Sequence, residues 1–305
     1  MHSRGEDDLA KLAGSFNAMA ISLQTQIRQL EHLSRVQQRF VSDVSHELRT
    51  PLTTVRMAAD VLHESRADFE AAPARSAELL QQQLDRFELL LGDLLEISRI
   101  DAGGAVLELE PVDLRDLAAR VVDAAAPLAR GGSSLQLVCA TSPCVADIDA
   151  RRIERVLRNL VVNALEHGNG APVTITTAAD AVGVAVSVRD HGVGLKPGES
   201  ALVFNRFWRA DPSRARTLGG TGLGLAIASE DTRLHGGWLQ AWGEPGQGSC
   251  FRLTLPRAAG VELTTSPLPL GPPADELVVG GPYLRITPRT DRGLPPAPSW
   301  AVRGG

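Results

Sequence analysis

Four groups of residues in the 305-residue chain have types and spacings suited to chemistry. The first is the run FVSDVSHELRTPL from Phe40 to Leu52. On a 3.6-residue helix His46 lies about 160° around from the apolar positions Val44 and Leu48, so its imidazole is expected to face solvent. Glu47 can accept the Nδ1 proton and leave the Nε2 lone pair free for nucleophilic attack. Pro51 removes a backbone donor and crowds the carbonyl of Glu47, which predicts a kink or loosened turn beside His46. The second group is Asn159 and Asn163, four apart and so on one face of a predicted helix. An amide oxygen is a hard ligand suited to Mg²⁺, which shares its shell with phosphates and waters. Third, DHGVG from Asp190 to Gly194 follows a β-branched run. A carboxylate there can accept from an amino group such as that of adenine, with Gly192 and Gly194 permitting close approach. Fourth, the aromatic and basic cluster FNRFWR ends at Arg209, and GGTGLGL follows from Gly219 to Leu225. Backbone N–H groups at the start of a helix form a natural phosphate cradle. The stretch RADPSRARTL before the glycines does not read as a strand, so the fingerprint of a dinucleotide-binding turn is not met. Each group alone also has a plain structural reading: a surface histidine, a polar helix face, a turn, a small core under a loop.

Those residues need elements to hold them. Leu80, Leu84, Phe87, Leu91 and Leu94 step by four and three, the seam of a packed helical bundle. Leu23, Ile27, Leu30, Val41, Val44 and Leu48 make a looser seam before it, and the proline-bearing HESRADFEAAPARS between them suits a reversal of direction. Arg28 to His63 and Arg75 to Ile100 are therefore expected to form an antiparallel helical hairpin. Two helices leave too much apolar surface uncovered, so a homodimer forming a four-helix bundle is expected. After the glycine stop at Asp101 to Gly104, strands are expected at Val106 to Glu110, Leu135 to Val138, Val145 to Ile148, Val173 to Thr177, Val182 to Val188, Trp238 to Trp242 and Cys250 to Leu255. Helices are expected at Leu114 to Leu128, Ile153 to Glu166 and Leu223 to Leu234, giving an α+β sandwich. Nine of the nineteen prolines lie between Pro267 and Pro298, so residues 258–305 are expected to be a mostly disordered tail.

Composition narrows the classes. Acidic residues outnumber basic ones by 36 to 31, for a formal charge of −5, which supplies no basic footprint for nucleic acid. Three cysteines with no CxxC pair argue against a disulfide framework or a structural zinc and favour a reducing compartment. No stretch reaches the roughly 18 apolar residues that a membrane span requires. The N-terminus lacks the apolar centre of a secretion signal, and the chain is expected to be soluble.

Taken in order, the four groups resemble the motifs of sensor histidine kinases. SHELRTPLT resembles the H-box, which makes His46 the phosphoacceptor, Glu47 its acid–base partner and Thr50 the residue that positions water when the kinase dephosphorylates its partner. RNLVVNALEH resembles the N-box, implying that Asn163 coordinates Mg²⁺ and Asn159 supports phosphate binding. DHGVG resembles the G1 box, with Asp190 reading adenine beside Gly192 and Gly194. FNRFWR resembles the F-box that opens a mobile ATP lid, with Arg209 near the phosphates, and GGTGLGL resembles the G2 box, placing Gly220, Thr221, Gly222 and Gly224 in the nucleotide site. GQGSCF resembles the closing glycine turn and final strand. Three positions depart from the family pattern: Glu166 stands where many relatives carry Lys or Arg, and Asp231 and Thr232 sit where the pattern is apolar. Glu6 to Leu23 resembles the end of a HAMP signalling helix, and HELRTPLTTVRMAADVL with EDTRLHGGWLQAWGEPGQGS resembles the actinobacterial MtrB-type subgroup.

The resemblance implies a helical hairpin, a four-helix bundle as a dimer, followed by an α+β sandwich ATP-binding domain of the Bergerat/GHKL type. The expected divisions are 1–31 for the end of the signalling helix, 32–104 for dimerisation and phosphotransfer, 105–257 for ATP binding and 258–305 for the tail. The implied activity is autophosphorylation of His46 from Mg²⁺ and ATP, then transfer to an aspartate of an MtrA-like, DNA-binding response regulator. No direct nucleic-acid contact is implied, and the membrane is reached only through segments upstream of this sequence, with this portion on the cytoplasmic side. Two rivals are a non-kinase ATPase of the same nucleotide fold and a pseudokinase scaffold that binds partners through its helices.

Overall fold

The structure, a computed structural model, describes residues 51–101, 106–129, 132–210, 221–271 and 283–286, with scattered helical positions between 16 and 48. Among the expected site residues, His46, Thr50 and Gly220 lie outside the described ones. The chain divides into two compact units, Met1–Val106 and Leu107–Gly305.

The described residues of the first unit are mainly helical. Helix α1 covers residues 51–64, a 3₁₀ turn follows at Ser65–Asp68, and α2 spans Ala71–Asp101. Polar side chains show how α1 and α2 run. Gln81 donates to Asp60 Oδ1 at 2.8 Å, while Arg56 donates to Asp85 and, at 3.4 Å, to Glu88. Stepping back along α1 from Asp60 to Arg56 moves forward along α2, so the helices are antiparallel, as the proline-bearing segment 63–76 predicts. Ala59, Ala77 and Leu84 are buried. The α2 seam divides: Leu84 turns inward, whereas Leu80, Phe87 and Leu94 are 39, 50 and 48% exposed. Leu48, Val55 and Leu62 repeat that seven-residue spacing and are exposed too.

The second unit starts with β1 (Glu110–Asp113), α3 (Leu114–Ala125), β2 (Leu135–Ala140), β3 (Val145–Ile148) and α4 (Ala150–His167). It continues with β4 (Val173–Ala179), β5 (Gly183–Arg189), the short α5 (Glu199–Leu202), α6 (Gly224–Leu234), β6 (Trp238–Glu244), β7 (Gly248–Pro256) and β8 (Tyr283–Ile286). Six strands form one sheet in the order β6-β7-β5-β4-β2-β8, and β1 pairs with β3 in a small second sheet. Strands β2 and β4 are parallel, and every other described pairing is antiparallel.

Strand alternation sorts the core. Val184, Val186 and Val188 of β5 join Leu253 and Leu255 of β7, Leu117 and Val121 of α3, and Ile153, Leu157 and Leu160 of α4 in one buried cluster. Helix α4 begins at Ala150, three residues before the predicted start, because Asp149 caps it by accepting from the Arg152 N–H at 3.2 Å. Strand β1 lies later than the predicted 106–110, since its pairing with β3 sets its register and Asp113 ends it as the cap of α3. The three cysteines are buried and free, and burial pushes all three thiols up.

Residues 258–271, expected to belong to a mostly disordered tail, pack against the second unit's sheet; residues 272–282 and 287–305 lie outside the described ones. Buried Leu263 and Leu268 lie beyond β7, and Leu268 clusters with Ala178 and Ala185 on the sheet face opposite α4. Arg252 donates to the Leu268 carbonyl, and the Thr254 and Ser266 hydroxyls meet at 2.8 Å. Strand β8 then pairs with β2 through residues 283–286. Two leucines five apart are too sparse to mark an element in the sequence, yet they suffice over a sheet face lined by small residues.

Candidate functional site

One half-buried row on α4 organises the site: Arg152, Arg155, Asn159, Asn163 and Glu166. These positions step by three and four and lie beside the buried row Ile153, Val156, Leu160 and Ala164. The row meets α6 at its lower end. Asp231 of α6 is fully buried; Arg152 Nη1 donates to its Oδ1 at 2.9 Å, and Arg155 donates to its Oδ2 from Nε at 3.0 Å and Nη2 at 2.7 Å. His235 Nε2 accepts from the Asp149 N–H at 3.0 Å while Nδ1 faces the Asp231 carbonyl at 2.7 Å, joining the cap of α4 to the end of α6. The departure at Asp231 thus has a structural cause: the apolar pattern is broken to anchor α6 with charge. Thr232 turns its hydroxyl back onto the Ala228 carbonyl at 2.7 Å, so its polarity is satisfied within α6.

Farther up the row, Asn159 Nδ2 donates to the Gly224 carbonyl at 2.9 Å. Gly224 opens α6, and no side chain caps that helix at Leu223. Asn159 therefore positions the glycine turn through its amide nitrogen. Thr221 Oγ1 accepts from the Leu223 N–H at 3.1 Å, closing the turn locally. The Gly222 carbonyl accepts from the Phe207 N–H at 3.0 Å, which ties the turn to the start of the expected lid. Two residues beyond Phe207, Arg209 is half-buried, and its Nε is buried without a hydrogen-bond partner.

The other end of α4 meets the Asp190 loop. Asp190, buried at the end of β5, accepts from the Gly192 N–H at 2.9 Å, the Ser249 N–H at 3.2 Å and the Ser249 hydroxyl. Gly192 cannot be replaced without movement, because a Cβ there would sit 1.7 Å from the His167 carbonyl oxygen. Gly194 has φ +71°, and its Cβ would lie 1.8 Å from the Glu244 carbonyl oxygen. Both glycines were expected for close approach of a ligand; here the absent Cβ makes room for the protein's own backbone. Ser249 escaped the sequence reading, although it sits in the glycine turn GQGSCF that was singled out.

Asn163 is half-buried between these two ends, and Glu166, one turn above it, has a buried Oε1 with no hydrogen-bond partner. Among the described residues no group of three His, Cys, Asp or Glu side chains could hold a metal ion. An amide oxygen and an orphaned carboxylate oxygen on α4, with an orphaned guanidinium N–H at Arg209, fit a ligand that carries both a hard cation and anionic oxygens. On the helical unit, Glu47 is helical and exposed.

Residues 148–259 match the family described as Histidine kinase-, DNA gyrase B-, and HSP90-like ATPase, and residues 36–103 match the His Kinase A (phospho-acceptor) domain. A phosphoacceptor helical module followed by an ATPase module defines the class, a histidine kinase. Over 273 residues the chain is 60% identical to the sensor histidine kinase MtrB of Mycolicibacterium paratuberculosis, covering 89% of this chain and 48% of that protein. It is 59% identical to the MtrB of Mycobacterium tuberculosis with the same coverage. Among solved structures, full-length ShkA in complex with AMPPNP aligns with a TM-score of 0.63 at 30% identity, over 73% of this chain and 46% of that one. The chain thus belongs to the sensor histidine kinase family, and it spans about half the length (48%) of the curated relatives it matches.

Proposed function

We propose that this chain is the kinase portion of a two-component sensor histidine kinase that phosphorylates His46 from ATP. The observation that carries the reading is the α4 row, which presents Asn163 between an anchored glycine turn and the buried Asp190 loop. Asn163 would hold Mg²⁺, which supplies charge neutralisation on the phosphates. Asp190 would read the adenine amino group alongside Gly192 and Gly194, and Arg209 with Gly220, Thr221, Gly222 and Gly224 would surround the phosphates. In the transfer, Nε2 of His46 forms a bond to the γ-phosphorus as the bond to the β,γ-bridging oxygen breaks and ADP leaves. Glu47 holds the Nδ1 proton. Such a transfer rests on positioning and electrostatics rather than on covalent assistance from the protein.

The phosphoryl group would then pass to an aspartate of a response regulator, an MtrA-like DNA-binding protein, with Thr50 positioning the water that hydrolyses that aspartyl phosphate to free phosphate. Leu80, Phe87 and Leu94 with Leu48, Val55 and Leu62 supply the apolar stripe that a homodimeric four-helix bundle would cover. Among the described residues no helix is long and apolar enough to cross a membrane. The full-length protein would lie in the cell membrane with this portion on the cytoplasmic side.

The test is incubation of the 305-residue chain with γ-³²P-ATP. Acid-labile, alkali-stable label that disappears in His46→Gln supports the kinase. Phosphate release without labelled protein supports a plain ATPase, and neither label nor release supports a scaffold.

A further inference from the structure

We propose that Glu166 is a second protein ligand of the divalent cation held by Asn163, and that it makes nucleotide binding depend on that cation. The inference rests on the nucleotide reading above and extends it to a residue that reading leaves without a role.

Helix geometry places the carboxylate. From Asn163 to Glu166 an α-helix rises about 4.5 Å and turns about 60° back, so the two side chains leave the same side of α4. Relative to Asn159 the azimuth of Glu166 differs by only about 20°, at a height of about 10 Å along the axis. Asn159 already meets the Gly224 carbonyl, and at the far end of the helix the His167 carbonyl lies against Gly192. Glu166 therefore stands within the stretch of α4 that lies between the glycine turn and the Asp190 loop.

Chemistry says what it lacks. Oε1 is shielded from solvent and accepts no hydrogen bond. A buried carboxylate oxygen in that condition demands a donor or a cation, since leaving it unsatisfied is costly. The two arginines nearest on its own row, Arg152 and Arg155, are held by Asp231. Mg²⁺ is typically bound by one or two carboxylates together with phosphates and waters, and a neutral amide alone supplies no charge. Glu166 provides the carboxylate. The same charge has a second effect: without the cation it repels a triphosphate, whereas with the cation it is neutralised. Cation and nucleotide then bind cooperatively, and the coupling is reciprocal.

The experiment is calorimetric binding of AMPPNP to the 305-residue chain in saturating Mg²⁺ and in EDTA, for wild type, Glu166→Gln and Glu166→Ala. The ratio of the two affinities measures the coupling. Both variants should lower that ratio by about tenfold, through weaker binding in Mg²⁺, tighter binding in EDTA, or both. A wild-type ratio in both variants overturns the role of Glu166 and leaves the nucleotide reading intact. A wild-type chain that binds AMPPNP in neither medium overturns that reading, and this inference with it.

Discussion

Removing the charge of Asp231 tests the anchor of α6 most directly. Asp231 is fully buried and accepts three hydrogen bonds from Arg152 and Arg155, whose side chains keep 18 and 23% exposure. Asp231→Asn leaves two guanidinium groups facing a neutral amide. Breaking a buried pair by removing one partner costs about 3–5 kcal/mol. The partial exposure of both arginines lets water reach them, which places the loss near the lower limit, about 3 kcal/mol. For a unit of this size each kcal/mol moves the melting temperature by about 2–4 °C, so differential scanning calorimetry should show a drop of about 6–12 °C. Because α6 begins at the glycine turn on Asn159, AMPPNP affinity should fall as well. The triple variant Asp231→Leu, Arg152→Met, Arg155→Met should recover most of the stability, since a buried ionic group exchanged for apolar residues of similar volume is often neutral. A drop below about 2 °C in Asp231→Asn would refute the anchor, because such a value is expected for a loss under 1 kcal/mol.

Two further outcomes follow from the second unit. Burial pulls the Asp113 carboxyl upward, but hydrogen bonds from the Arg115 guanidinium and backbone outweigh it and hold the group below its usual value. Its contribution is present above the unfolded carboxylate pKa and lost as pH falls through the lowered folded one; Asp113→Asn should flatten the acid limb of a stability-versus-pH curve below about pH 4, where an ordinary Asp titrates. Leu268→Ala should lower stability in urea by about 2 kcal/mol, the low end for a buried leucine, whereas an unpacked tail would give no change.

Much of the scaffold could be read before any coordinates. Helices α3, α4 and α6 and strands β2 to β7 lie within a few residues of their predicted places, because apolar periodicity and β-branched runs are local signals. The glycines at 192 and 194 were legible as positions that tolerate no side chain, but not the reason. Sequence spacing cannot tell a glycine that admits a ligand from one that admits the carbonyls of His167 or Glu244. Asp231 was visible as an anomaly in an apolar pattern, yet its partners lie 76 and 79 positions away. Ser249 was hidden by its ordinariness, since a serine in a glycine turn has many uses.

Residue chemistry and local period alone determined where α3, α4, α6 and β2 to β7 run, which side of α4 carries the amides, and which glycine turn opens α6. These depend on near neighbours, whose relation is set by the helix and strand repeat itself. Only the tertiary structure decided that Asn159 works through Gly224, that Asp190 is bonded by Ser249, that two tail leucines cover a sheet face, and that a carboxylate oxygen of Glu166 is left without a partner. Each of those is a statement about burial and about pairing across long stretches of chain, and both exist only once the layers have closed.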